Sequence, residues 1–238
     1  MKNYLSYITI ILFLLVLASC KKEEAEKPKV IYENTSKAKP SVTVDTNQIE
    51  VADLPINMEG TNFLIHPIGT ITGSRKGIKS SADSDQSFTV SNYGEYQITG
   101  YLKNLKFQEI GKDSIYALTD KQVLIETATF LKTFSDKTKQ QLMVYSLADM
   151  DTNKDGKLDS SDIKSLYIST ISGQKFTKLS ADFQELIDWK FLDSKNILYF
   201  RTIEDTNKNG EFDAEDNLQY HFLDLLSKDW KVSSYKPI

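Results

Sequence analysis

Two stretches of this chain, residues 151–162 and 205–216, carry Asp, Asn and Gly at matching positions, and each lies between runs rich in β-branched and aromatic residues. The offset between them is 54 residues, and Thr-Asn-Lys recurs at the same place in both. In the first copy, residues 142–149 lead into the polar loop, residues 166–170 follow it, a turn comes at Ser172 and Gly173, and residues 175–179 complete the unit. In the second, residues 197–204 lead in, residues 218–224 follow, a turn falls near residues 227–229, and residues 230–235 close it. A chain that repeats strand, loop, strand, turn, strand is expected to build antiparallel units. Residues 186–192 offer a fourth strand ahead of the second copy, giving the content of a propeller blade. A third, upstream copy is expected from residues 63–71, 96–102 and 105–110, with a Ser- and Gly-containing loop at 72–94 in place of the acidic one.

Strand signals also mark residues 63–65, 96–99, 123–130, 142–146 and 197–201, whereas no stretch of twelve or more residues carries a sustained helical stripe. The helix candidates are a turn at 160–164 and a short one near 181–186. The expected fold is therefore all-β, made of antiparallel blade-like repeats arranged as a propeller, an open meander or a sandwich. It forms a single domain over residues 47–238, with blade-like units near 142–180 and 197–236. Residues 166–179 resemble one blade hairpin of TolB-like propellers.

The two polar loops carry the clearest chemistry. Asp151, Asn153, Asp155, Gly156, Lys157, Asp159 and Asp162 match the twelve-residue calcium loop of EF-hands and dockerin-type modules. That resemblance implies side-chain oxygens from Asp151, Asn153 and Asp155, a sharp turn at Gly156, and a ligand carbonyl from Lys157. It further implies Leu158 as an inward anchor, Asp159 bound directly or through water, and Asp162 closing the shell. In the second loop the same register gives Asp205, Asn207, Asn209, the Glu211 carbonyl, Asp213 and Asp216, with Gly210 at the turn and Phe212 as anchor. Oxygen ligands in this number suit calcium. Asn209 replaces a carboxylate, so the second loop is expected to bind more weakly. Position 12 is Asp where EF-hands have Glu, and the flanks are strands, so a groove-opening sensor of the calmodulin kind is not expected.

The chain begins with Lys2 in a polar stretch, then an apolar run over residues 8–17, then Ala18, Ser19 and Cys20. This is the layout of a secretory signal. The run of ten residues is about half of the roughly twenty that a membrane-spanning helix needs. Residues 17–20 (Leu-Ala-Ser-Cys) resemble the lipobox of bacterial lipoproteins. The resemblance implies a signal peptide over 1–19 and a lipidated Cys20 as the new N-terminus, anchoring the chain to a membrane, expected to be the outer one, with the domain periplasmic or surface-facing. Residues 20–46 are expected to be the lipidated cysteine and a flexible charged tether, since residues 21–29 are almost without apolar side chains. They also resemble the acidic signals of surface-displayed lipoproteins.

Cys20 is the sole cysteine, so no intramolecular disulfide holds the domain. Loss of residues 1–19 removes one lysine and no carboxylate, which moves the formal charge from −4 to −5. No basic patch supports nucleic-acid binding. His66 and His221, the two histidines, sit on expected strands without partners for a triad or zinc site, and the chain has no HExxH or GxSxG motif. The expected function is a non-catalytic binding or scaffold module, with a protein or glycan ligand unspecified and calcium as a structural staple. The alternative is a lipid-anchored hydrolase or accessory subunit acting on glycans or peptides.

Overall fold

The computed structural model describes residues 27–32, 48–72, 91–94 and 96–238. The expected signal peptide, Cys20, most of the tether and most of the 72–94 loop lie outside the described residues. Among the described residues no helix is long and apolar enough to cross a membrane.

The fold is all-β and antiparallel, as the sequence predicts. Strands β1 (Gln48–Ala52), β2 (Ile56–Asn57), β3 (Phe63–Thr72), β6 (Asn104–Glu109) and β7 (Ile115–Ala117) form the first sheet, in the order β1-β3-β6-β7 with β2 also on β3. The second sheet runs β11 (Thr177–Lys178), β10 (Lys164–Thr170), β9 (Leu142–Ala148), β8 (Leu124–Phe130), β5 (Gln97–Leu102), β4 (Ser91–Gly94). The third is a four-stranded meander of β12 (Gln184–Leu192), β13 (Ile197–Glu204), β14 (Asn217–Asp224) and β15 (Ser233–Ser234).

The central sheet is covered on both faces. Along β9, Met143, Tyr145 and Leu147 point into a core shared with Ile65, Leu105 and Phe107 of the first sheet. Leu142 and Val144 point the other way, into a core with Leu186, Leu198, Phe200 and Leu223 of the third. Every residue of β9 is buried, which is why its sequence reads as a nearly continuous apolar run instead of an alternation.

The repeated strand order is visible in three dimensions. β8 to β11 form a sequential meander with the first acidic loop between its second and third strands, and β12 to β15 repeat that order with the second loop in the same place. The offset of 54 holds for the strands flanking the loops and drifts for the outer ones. The upstream third copy does not form: β5 pairs with β4 and β8 in the central sheet, whereas β6 pairs with β3 and β7 in the first. The neighbouring strands β5 and β6 thus part company where a blade would join them.

The described α-helix, α1 (Lys132–Thr138), lies where no helix was expected, and buries Phe134. Two turns are too short to show a stripe. The expected helical turns at 160–164 and 181–186 are non-helical turns running into β10 and β12.

Candidate metal sites

Both loops share their main hydrogen bonds, with one difference at position 1, where Asp205 Oδ1 accepts the Asn209 amide at 3.2 Å and Asp151 Oδ1 accepts none. At position 1, Asp151 Oδ2 accepts the Gly156 amide at 3.0 Å, and Asp205 Oδ2 accepts that of Gly210 at 2.8 Å. At position 3, Asn153 Oδ1 accepts the Asp155 amide (3.0 Å) and Asn207 Oδ1 that of Asn209 (2.9 Å). Position 5 caps position 7 through Asp155 with Lys157 (2.7 Å) and Asn209 with Glu211 (2.8 Å). Asp159 and Asp213 each accept the amide two residues on. Position 12 closes the loop: Asp162 takes the amides of Thr152 (2.6 Å) and Asp159 (3.0 Å), and Asp216 those of Thr206 (2.9 Å) and Asp213 (3.0 Å).

The backbone agrees. Lys154 and Lys208, at position 4, both have φ of 58°, and Gly156 and Gly210 have φ of 86° and 87°. A left-handed turn at position 6 is what glycine supplies without steric cost, and it lets position 1 reach across to the amide five residues on.

The twelve expected ligand positions lie on the two loops, at residues 1, 3, 5, 7, 9 and 12 of each. The carboxylates use one another's backbone neighbours as donors, and no group of three or more acidic, His or Cys side chains among the described residues is arranged as a metal-holding cluster. One oxygen is left over. Asp151 Oδ1 is buried and has no hydrogen-bond partner, and an unmatched buried carboxylate oxygen is costly unless a cation or donor meets it. The donor set, all hard oxygen, fits calcium at that point. Asp162 is fully buried, and burial pushes its carboxyl above the usual range against the pull of its amide donors, with the Asp151 charge adding to the rise. Leu158 packs on Leu124 and Ala148, the inward anchor the loop pattern implies.

The structure also shows a partner that sequence reasoning missed. Residues 29–32, assigned to the tether, lie between the two loops. Lys29 and Ile31 donate to the Ser161 and Thr152 carbonyls (3.2 and 2.8 Å), Val30 donates to the Gly210 carbonyl (3.0 Å), and Thr152 Oγ1 donates to the Lys29 carbonyl (2.9 Å). Val30 is buried. The Tyr32 hydroxyl bonds Asp205, and burial with that carboxylate pushes its pKa up to about 12. The available signal was the short Val-Ile-Tyr run at 30–32, outweighed by the charge around it.

His66 bonds the Gln108 amide (3.2 Å) and His221 stacks on Phe200 at 4.8 Å, so both are accounted for by packing. Most large aromatics fill the cores, but Tyr199, Phe222, Tyr220 and Tyr235 gather on the opposite face of the third sheet. A shallow cleft of about 340 Å³ opens there beside Asp188, Lys190 and Arg201. No protein family, curated protein or solved structure matches the chain.

Proposed function

We propose that this chain is an exported, membrane-anchored lipoprotein whose β-domain is a non-catalytic binding or scaffold module stapled by calcium at two loops. The observation that carries the metal reading is a hydrogen-bond pattern largely shared by the two loops, together with a buried, unpartnered oxygen on Asp151 in loop 1. Asp151, Asn153, Asp155, Lys157, Asp159 and Asp162 would hold one ion, and Asp205, Asn207, Asn209, Glu211, Asp213 and Asp216 the other, with Lys157 and Glu211 serving through their carbonyls. Calcium would relieve repulsion among the carboxylates and tie β9 to β10 and β13 to β14, raising stability by RT ln(1 + [L]/Kd). Affinities of about 10⁻⁴ to 10⁻³ M suffice outside the cell. The two four-stranded meanders support reading β8 to β11 and β12 to β15 as blade-like copies. The lipid anchor rests on residues 17–20.

Calorimetric titration with calcium, paired with thermal melts in calcium and in chelator, tests the metal reading. Two binding events are expected, one lost in Asp151→Ala and the other in Asp205→Ala, with the melt raised by calcium. No heat and no change in the melt would reduce both loops to metal-free turns. Metabolic labelling with a fatty-acid analogue, abolished by Cys20→Ala, checks the anchor.

A further inference from the structure

Residues 29–31 lie between the two loops, with amides that alternate between them. Successive amides of an extended chain point in opposite directions, and here Lys29 and Ile31 reach loop 1 while Val30 reaches loop 2. The fit is close: a Cβ on Gly210 would come within 2.5 Å of the Val30 carbonyl oxygen. The carbonyls that receive the segment belong to Thr152, Ser161 and Gly210, at loop positions 2, 11 and 6. None is the position-7 carbonyl, so the main-chain docking of the segment uses no proposed ligand carbonyl. Tyr32 adds a direct link to Asp205, at position 1 of loop 2.

Resting on the calcium reading of the loops, we infer that residues 29–32 are a latch that docks when both loops are loaded and that couples the two sites. Only Val30 is buried among residues 27–32, so the latch is held mainly by main-chain bonds to loop carbonyls. Those carbonyls are in position only while the loops are closed, and closing them is what a cation does for a ring of carboxylates. By linkage, a latch that prefers loaded loops makes the loops bind metal more tightly, and one touching both makes filling of one favour filling of the other.

The test is hydrogen exchange on the full mature chain, with calcium alone or chelator, alongside calorimetry. The expected result is that the amides of Lys29, Val30 and Ile31 exchange about tenfold faster or more in chelator while those of β9 do not change. Val30→Asp, which places a charge in a buried site without touching a ligand, should free these amides in both conditions and weaken calcium binding by about fivefold or more. Ile31→Pro, which removes a single donor to loop 1, serves as the second variant if Val30→Asp misfolds. Calcium heat at both loops with latch exchange indifferent to calcium, or with affinity unchanged in both variants, overturns the latch and leaves the calcium sites standing. Absence of calcium heat overturns the metal reading and the latch with it.

Discussion

The two loops share a hydrogen-bond grid but differ in setting. In loop 1, Thr152, Leu158, Ser161 and Asp162 are buried, Asp162 completely. Their counterparts in loop 2 are exposed (Thr206, Glu215) or half-buried (Phe212, Asp216). Position 1 reverses the order, because Asp205 is buried beside Tyr32 while Asp151 is half-buried. Loop 1 is thus an extension of the core beside β8 and β9, and loop 2 is a more exposed turn. One sequence pattern gives one local geometry, while the energy behind each side chain is set by what packs on it.

The largest expected contrast is at position 12. Asp162→Ala strands the amides of Thr152, Asn153 and Asp159 in a buried site and should cost about 3–4 kcal/mol, against about 1 kcal/mol for the more exposed Asp216→Ala. Urea melts of the two variants in chelator decide it. Equal losses would mean that the burial difference carries no energy.

The exit of loop 1 has a brace that loop 2 lacks. Glu185 Oε2 accepts the Lys164 amide at 2.5 Å and the carboxyl lies 3.5 Å from Lys164 Nζ. Burial pushes its pKa up from 4.5 to about 7, with Glu126 adding to the rise and Lys164 opposing it. The folded state therefore holds a proton that the unfolded state releases between pH of about 4.5 and 7. The contribution is fully present below the lower value and lost as pH rises through the upper one. Glu185→Gln should gain stability relative to the parent as pH climbs through that window, by up to about 3 kcal/mol. Parallel melting curves at pH 5 and 8 would contradict it.

The anchors at position 8 should differ next. Leu158→Ala empties a site packed on Leu124 and Ala148 and should cost about 2–3 kcal/mol, whereas Phe212→Ala, half-buried, should cost about 1 kcal/mol. A larger loss at Phe212, read from the same urea melts, would show that loop 2 is core-supported after all.

What was legible in the sequence follows the same division. The strands flanking each loop were readable because turn residues bracket them, and the loop geometry because glycine at position 6 and oxygen donors at 1, 3 and 5 dictate it locally. The split of β5 from β6 into different sheets was not readable, since residues 97–109 look like one more hairpin and only packing on both faces of β9 separates them. The helix at Lys132–Thr138 was hidden by its length. The docking of residues 29–32 was hidden by non-locality: its partners lie more than 120 positions away and are backbone carbonyls, which leave no side-chain signature.

The smallest contrast is the sharpest, because the residue type is the same. Thr152 and Thr206 both occupy position 2, but Thr152 Oγ1 accepts the Ile163 amide at 3.1 Å and donates to the Lys29 carbonyl at 2.9 Å. Thr206 Oγ1 only donates to the Glu204 carbonyl two residues back, at 3.1 Å, in an exposed position. Thr152→Ala leaves a buried amide and a latch carbonyl unpaired and should cost about 1–2 kcal/mol, while Thr206→Ala should stay within about 0.5 kcal/mol of the parent. Thr152→Ser, which keeps the hydroxyl, should recover most of the loss. If serine and alanine melt together at position 152, the methyl group's packing holds the loop there and the hydroxyl's bridge to the N-terminal segment contributes little. The difference between the two loops would then reduce to apolar burial alone.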